Sequence, residues 1–396
     1  MPSPSFTADQ VAAFRLARHH LTGKSTATLV SVCADVGGIQ AQVMSAAELS
    51  LWTRRRATKR SEVKAAVWET RELVKTTSMR RTLHLLPSRD FQMYVAAMRD
   101  WSLGQTNNLL SRIGASAKHV DTMIATVMDA LADGPKTQQE LLARARTTAS
   151  KGMRAWLKYA WSAMRPAIVE GLIVYGPSRG AAATFVRVDQ WLPPQRKMDV
   201  GEAQLALARR FMRAFGPATY RDFSKWSGLP TSVTKRLFET LGDSLAAVRV
   251  DGEASFVLKD DVGELSSATL DRSAKLLPSF DTFLLAHQTK DHLVERRFYK
   301  RVYRNQGWLS PVVIVGGRIV AVWFLEERVK AFTVDVQPFG SLDAKARRGI
   351  ADEAAALATF LGARCDVTFT GSKGSKGSKG SKGSKGSKGS KGSKGS

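Results

Sequence analysis

Apolar positions recur along this chain with two different periods. Thr7-x-x-Gln10 reads as a capping box, and Val11 and Phe14 fall on the buried side of the helix it opens. Val43, Ala47 and Leu51 keep helical spacing in a segment running from Val43 to Arg56. Val63, Ala66 and Val67 mark another helix, which Ser61 can cap, and a short segment follows around Arg71–Lys75. From Met79 to Leu86 the period shortens. Leu83 and Leu85 alternate with Thr82 and His84, as in a half-buried strand stopped by Pro87-Ser88. Ser88 can then cap a helix carrying Phe91, Tyr94, Val95 and Met98.

Further on, one order of elements repeats. A Met123–Leu131 helix stops at Asp133-Gly134-Pro135, and Thr137-x-x-Glu140 opens a helix with Leu141 and Leu142. A third helix carries Met153, Trp156, Leu157, Ala160, Trp161 and Met164 on one side. Two short apolar runs around a Gly176–Gly180 turn complete the unit. Helices followed by a hairpin is the order of a winged helix-turn-helix. The order returns after Phe211 and Phe215. Thr219-x-x-Asp222 starts a short helix, Thr231 can cap the next, and Leu245–Val250, Asp251-Gly252 and Ala254–Leu258 read as a hairpin. Thr137 and Thr219 hold equivalent places 82 residues apart, which suggests a degenerate structural repeat. Residues 61–86 are a weaker third copy. The pattern then turns β-rich: Leu276–Ala286, Pro311–Val315, Arg318–Phe324 and Val329–Val336, with Gly316-Gly317 as a tight turn and a helix from Leu342 to Leu361. The expected fold class is α+β, with tandem winged-helix modules and a β-rich C-terminal domain. The expected units are 1–120, 121–195, 200–262 and 272–366. The Gly-Ser-Lys repeat at 371–396 has no apolar side chain to bury and is expected to be flexible.

Charge narrows the partner. The formal net charge is +25, of which the eight tail lysines account for only part, leaving +17 on the rest of the chain. A basic excess spread through folded sequence points to a polyanion, most often nucleic acid. Lys151, Arg154, Lys158, Lys235 and Arg236 lie on or beside the second helices of the winged-helix units, where groove and phosphate contacts are expected. Arg54, in the run Arg54-Arg55-Arg56, with Arg80, Arg81, His84 and His287, are further candidate DNA contacts, although such a run is usually a solvated face and each histidine is more often locally hydrogen-bonded. Cys33 and Cys365 make neither a disulfide framework nor a metal set, and the six histidines supply no paired-ligand spacing with them. No metal and no cofactor are expected. No apolar run approaches the roughly 20 residues that span a bilayer, and the first residues lack a signal-peptide pattern. A reducing cytoplasm and no membrane association are therefore expected, as is a monomer, since no coiled-coil segment is visible.

For chemistry, the chain shows no nucleophile elbow, phosphate-cradling glycine loop or metal-ligand cluster. Asp281 offers a carboxylate that could act as a base, though a solvated or capping role is the simpler reading. One stretch is unusual in a different way. Gly37-Gly38-Ile39-Gln40-Ala41-Gln42 places two uncharged amides one residue apart after a glycine pair that permits a tight backbone path. If the run is extended, Gln40 and Gln42 project to the same face and can hold a water or read a polar edge. Residues alone point to a DNA-binding protein and leave open whether it is catalytic, a winged-helix transcription regulator or a silent architectural protein.

A resemblance separates these. Gly37–Gln42 leading to Leu51-Trp52-Thr53-Arg54, then Met79-Arg80-Arg81-Thr82-Leu83-His84, resemble the AlkZ/YcaQ family of winged-helix DNA glycosylases. Phe215-Gly216-Pro217-Ala218-Thr219, Trp226-Ser227-Gly228-Leu229, Leu277-Pro278-Ser279-Phe280-Asp281 and Gly317–Trp323 match in the same order, and the resemblance runs from Gln10 to Gly362. It implies modules arranged around a DNA channel and, as partner, duplex DNA containing alkylated purines in a bacterial cytoplasm. It implies removal of N7- or N3-alkylated bases, with unhooking of interstrand crosslinks in some members. The family's catalytic motif, Gln, an apolar residue, then Gln or Asp, falls on Gln40, Ala41 and Gln42. The Gln/Gln subtype resembles self-resistance enzymes of organisms that make DNA-alkylating toxins.

Overall fold

The computed structural model describes residues 3–371, apart from 150–153, 155–156, 158–159 and 329–330. Ser61, Ser88 and Thr231 do not cap as expected: the helices Arg60–Trp68, Phe91–Arg112 and Thr231–Leu241 begin after Lys59, Asp90 and Pro230 with no side-chain cap hydrogen bond, because a lone Ser or Thr does not fix where the first turn begins. The complete capping boxes do set helix starts. Thr7, Thr137 and Thr219 each accept the backbone N–H three residues on, and Gln10, Glu140 and Asp222 reach back to the cap. Two donors that the helix itself cannot satisfy are thereby paired at each start.

Three sheets organise the described residues. The six-stranded sheet is antiparallel and runs in the order Ile39–Gln40, Leu83–Pro87, Leu73–Thr77, Ile173–Arg179, Ala182–Arg187, Lys136–Thr137. Lys75 pairs with Tyr175, so segments 1–120 and 121–195 share one sheet. A three-stranded sheet joins the hairpin Leu245–Val250 and Glu253–Leu258 to Ser5–Phe6, which lies parallel to its first strand. The C-terminal sheet holds Ala274–Leu277, Val312–Val315, Arg318–Arg328, Ala331–Pro338 and Arg364–Phe369. Its last two strands are parallel, and the helix Ala344–Leu361 supplies the crossover. The mixed helix-and-sheet class is as expected from the sequence.

Several local expectations change. Met79–Arg81 is a 3-10 turn rather than the start of a strand, and Leu73–Thr77 is a strand. Leu83–Pro87 is buried along nearly its whole length, because it is paired on both edges and covered by helices. The strand Arg364–Phe369 was not expected. Its alternation of Arg364, Asp366 and Thr368 with Cys365, Val367 and Phe369 is a period-2 signal.

The core joins elements distant in sequence. Phe211 and Phe215 of the helix Val200–Phe215 pack with Phe223 and Trp226 of Tyr220–Ser227, and Met79 and Leu86 belong to the same buried cluster. This brings Trp226 against the segment that carries Gln40.

Candidate active site

The helix Leu29–Asp35, capped by Thr28, ends one residue before Gly37-Gly38. Both glycines have positive φ, 71° and 99°. A Cβ on Gly37 would lie 2.9 Å from Trp226 Cζ2, and one on Gly38 would lie 2.7 Å from Leu86 Cδ2. The pair therefore meets both a backbone and a packing demand that no larger residue meets without a shift. It turns the chain onto the edge of the six-stranded sheet, where Ile39 pairs with Leu85 and Gln40 with His84. The Ala41 N–H donates to Leu83 O at 2.7 Å, and the chain then bends at Gln42-Val43 into the helix Met44–Arg54. Extended alternation does not continue to Gln42, so the two amides are not equivalent. Gln40 is only 7% exposed, whereas Gln42 is exposed.

Gln40 is held by Arg80. The Arg80 Nη2 donates to Gln40 Oε1 at 3.0 Å, and Nη1 donates to the Trp226 carbonyl. A guanidinium has no acceptor, so this contact orients the Gln40 amide: Oε1 faces Arg80 and the Nε2 donors are turned away. Arg80 and Arg81 both sit in the left-handed region, with φ of 53° and 59°. Two such residues cost about 1–2 kcal/mol each. The turn is braced by Arg81 N–H to Ser78 O at 2.8 Å, Thr82 N–H to Met79 O at 3.1 Å and Ser78 N–H to Thr82 O at 3.1 Å. Backbone strain concentrated where a partly buried cation grips a polar side chain is consistent with a functional constraint. Burial pushes the Arg80 pKa down to about 10, which leaves it charged at neutral pH.

His84, opposite Gln40, is not a DNA contact as expected. Its ring is 2% exposed, and Nδ1–H donates to Thr82 O at 2.9 Å. Burial, reinforced by the Arg80 charge, pushes its pKa down to about 3. The folded protein thus leaves His84 neutral between pH 6.5 and 3, while the unfolded chain takes up a proton there. Its stabilising contribution is complete above pH 6.5 and is lost as pH falls through that window, by about 1.4 kcal/mol per pH unit. In His84→Gln, chemical unfolding midpoints are expected to fall less steeply between pH 6.5 and 5 than in the parent chain. Equal slopes would show that His84 does not titrate in this way.

Two other candidates are also corrected. Arg54 is fully buried, and its Nη1 and Nη2 each donate to an Asp281 oxygen at 2.7 Å; Nη1 also reaches Ser50 O and Oγ at 2.9 Å. Asp281 is not solvated, because its carboxylate is occupied by Arg54, Ser50 and the Phe283 N–H. It does cap the short turn at Thr282, the part of the reading that stands. Burial alone would raise its pKa, but the Arg54 charge and these hydrogen bonds hold it below the ordinary value. His287 is buried with Nε2 3.1 Å from Phe215 O, and burial followed by the Arg15 charge pushes its pKa well below the usual range. Neither Arg54 nor His287 is available to DNA, since each is satisfied inside the protein.

Arg81 is exposed and lines a cavity of about 630 Å³ with Thr77, Tyr94 and Arg99. Neither this cavity nor one of about 820 Å³ lined by Arg18, Arg89 and Arg213 includes Gln40 or Gln42. Lys235 and Arg236 are exposed on Thr231–Leu241, with Lys235 3.8 Å from Glu239. Arg154 is exposed and donates to Ala149 O at 3.3 Å. Lys151, Lys158 and the tail from 372 lie outside the described residues. The contribution of Trp226, whose carbonyl and ring meet Arg80 and Gly37, lies outside the expectations, since no local signal links it to positions 146 and 189 residues earlier.

Comparison with known proteins assigns this arrangement first to a class. The chain is similar to the solved structure of Streptomyces sahachiroi DNA glycosylase AlkZ, with a TM-score of 0.81 and 28% identity, over 92% of this chain and 100% of that one. The fold is that of a DNA glycosylase. A curated relative from Streptomyces sahachiroi, an interstrand DNA cross-link repair glycosylase, is 31% identical over 363 residues, covering 89% of this chain and 96% of its own. The model of the family described as DNA glycosylase AlkZ-like matches residues 33–360, and the chain belongs to that family.

Proposed function

We propose that this chain is a monofunctional glycosylase that hydrolyses the N-glycosidic bond of N7-alkylguanine and related N3- or N7-alkylpurines in duplex DNA. Bulky adducts and interstrand crosslinks from DNA-alkylating natural products are its proposed natural lesions, and self-resistance and base-excision repair its proposed role. The observation that carries this reading is the unequal pair of uncharged amides: Gln40 oriented by Arg80, and Gln42 exposed beside it.

The chemistry suits amides. Alkylation at N7 makes the guanine cationic, so the C1′–N9 electron pair leaves with the base and neutralises it. Little acid catalysis is needed. Water adds to C1′, and its proton passes to solvent. The protein's part is to hold that water and to place dipoles where charge develops on the sugar. Gln40, with Oε1 engaged, offers its Nε2 donors, while Gln42 can accept from the water. An exposed Gln42 also favours an open site over a snug pocket for a flipped base, and a crosslinked base could not enter such a pocket.

The test is incubation with duplexes carrying 7-methylguanine or an N7-linked interstrand crosslink, followed by alkali. The expected result is strand cleavage at the lesion, with unhooking of the crosslink. Release from neither substrate, together with sequence-selective binding of undamaged DNA, would establish the regulator reading instead.

Lys235 and Arg236 are proposed phosphate contacts. Lys235→Ala and Arg236→Ala are each expected to weaken binding to all duplexes alike, and to reduce the slope of log K against log salt by about one. Fluorescence anisotropy at several salt concentrations measures this. An unchanged slope would exclude the phosphate role.

A further inference from the structure

Beyond the amide pair, one surface element combines features that neither the core nor the chemistry above accounts for. Tyr303 and Leu309 form an isolated bridge that closes a tight turn. Across it, Arg304 N–H donates to Trp308 O at 2.8 Å, and Trp308 N–H donates to Asn305 O at 3.3 Å. The five residues from Arg304 to Trp308 are all exposed. Trp308 is 52% exposed, the most exposed large apolar side chain among the described residues. An indole left this wet forgoes much of its burial free energy, which needs a reason.

The ring is supported on one side. Phe280 packs beneath it with centroids 5.1 Å apart, and Phe280 precedes Asp281, which Arg54 grips inside the protein. The turn is therefore braced from a buried ion pair, with the remaining ring surface open. Its rim is cationic. Between positions 296 and 308 lie Arg296, Arg297, Lys300, Arg301 and Arg304 and no acidic residue. Arg296 and Arg297 pair with Asp291 and Glu295, and Arg301 donates to the Gln337 and Pro338 carbonyls. Lys300 and Arg304 are exposed, with no carboxylate at ion-pair distance among the described residues. The element also shares its footing with the candidate active site. Val43, next to Gln42, packs against the apolar cluster that contains Phe280 and Leu309.

We propose that Trp308 is a nucleobase-stacking residue, with Lys300 and Arg304 taking the phosphates on either side. An exposed apolar ring with the uncompensated cations Lys300 and Arg304 close by in sequence matches the combination of π-face and polyanion found in nucleic acid. The base stacked is one that has lost its own stacking or pairing partner, as happens where a duplex is disrupted at a lesion. The proposal rests on the glycosylase reading for its biological setting.

The experiment uses the full chain and its Trp308→Ala, Trp308→Phe and Lys300→Ala/Arg304→Ala variants. Each is titrated at several salt concentrations with a fully paired duplex and with the same duplex carrying an unpaired base opposite a tetrahydrofuran abasic-site analogue. Wild type is expected to prefer the disrupted duplex. Trp308→Ala is expected to lose about tenfold of affinity for it, with much less change for the paired duplex and an unchanged salt slope. Trp308→Phe should recover most of the preference. The double variant should lower the salt slope by about two and keep the preference. Equal affinity of Trp308→Ala and wild type for the disrupted duplex would overturn the proposal. So would a loss common to both duplexes that Phe does not restore, or a Trp308-dependent self-association seen by sedimentation. Base release from 7-methylguanine DNA is measured on the same samples. If wild type releases none, the glycosylase reading fails, whereas Trp308 is judged only by the affinity ratio.

Discussion

Replacing Gln42 with alanine is expected to slow base release from N7-alkylguanine duplex by about 10²–10³-fold, the usual cost of losing one positioned hydrogen-bonding group at a reacting centre. Binding of the same duplex should change little. Gln42 is exposed and supports no part of the core, so its thermal midpoint should match that of the parent chain. Gln40→Ala is expected to show a comparable loss of release, with one difference. It leaves the partly buried Arg80 guanidinium with the Trp226 carbonyl but without its Gln40 acceptor, at about 1–3 kcal/mol of stability. Gln40→Glu separates the two effects: a carboxylate can still accept from Arg80, restoring stability, but has no amide donors. Single-turnover release and unfolding midpoints on these three variants decide the matter. If Gln40→Glu regains activity along with stability, Gln40 serves only as a partner for Arg80. If both alanine variants lose binding in proportion to release, the pair contributes to substrate affinity rather than to chemistry.

The second large effect is structural. Asp281→Ala is expected to destabilise the chain by about 3–5 kcal/mol, because it strands a fully buried guanidinium. That is a large part of the roughly 5–15 kcal/mol that holds a folded domain together. Arg54→Ala should be similarly damaging, since it leaves the carboxylate with only Ser50 and the Phe283 N–H. Both are measured by denaturant unfolding. A change below about 1 kcal/mol, the scale of an exposed ion pair, would mean that solvent reaches this site in the folded protein. Since Asp281 has a depressed pKa, its stabilising contribution is present above the ordinary carboxylate range and disappears as pH falls through it.

Arg54 illustrates where sequence reading ran out. Within Arg54-Arg55-Arg56 nothing separates it from its neighbours, and a basic run is ordinarily a solvated face. Its partner stands 227 positions away, so the pairing exists only once the C-terminal unit docks. For His84 and His287 the hydrogen-bonded alternative holds and the DNA contact does not, because whether a histidine is wet depends on what covers it. The three Thr-x-x-Gln/Glu/Asp capping boxes were legible because each is complete within four residues. The hairpins at Gly316-Gly317 and Asp251-Gly252 were legible too, through their turn chemistry.

At Gly37–Gln42, the sequence by itself determined which chemistry was available. It offered uncharged amides, a glycine pair that permits a sharp reversal, and a family motif. It also determined the three helix starts with complete Thr capping boxes, the two hairpins with glycine turns and the basic charge outside the tail. Only the tertiary structure decided that the two glutamines are unlike, one buried and clamped by a half-buried arginine and the other open to solvent. The clamp needs Arg80 in a left-handed turn and the Trp226 carbonyl on a helix far along the chain. Burial and long-range hydrogen bonding are properties of packed surfaces, and no local run of residues encodes them.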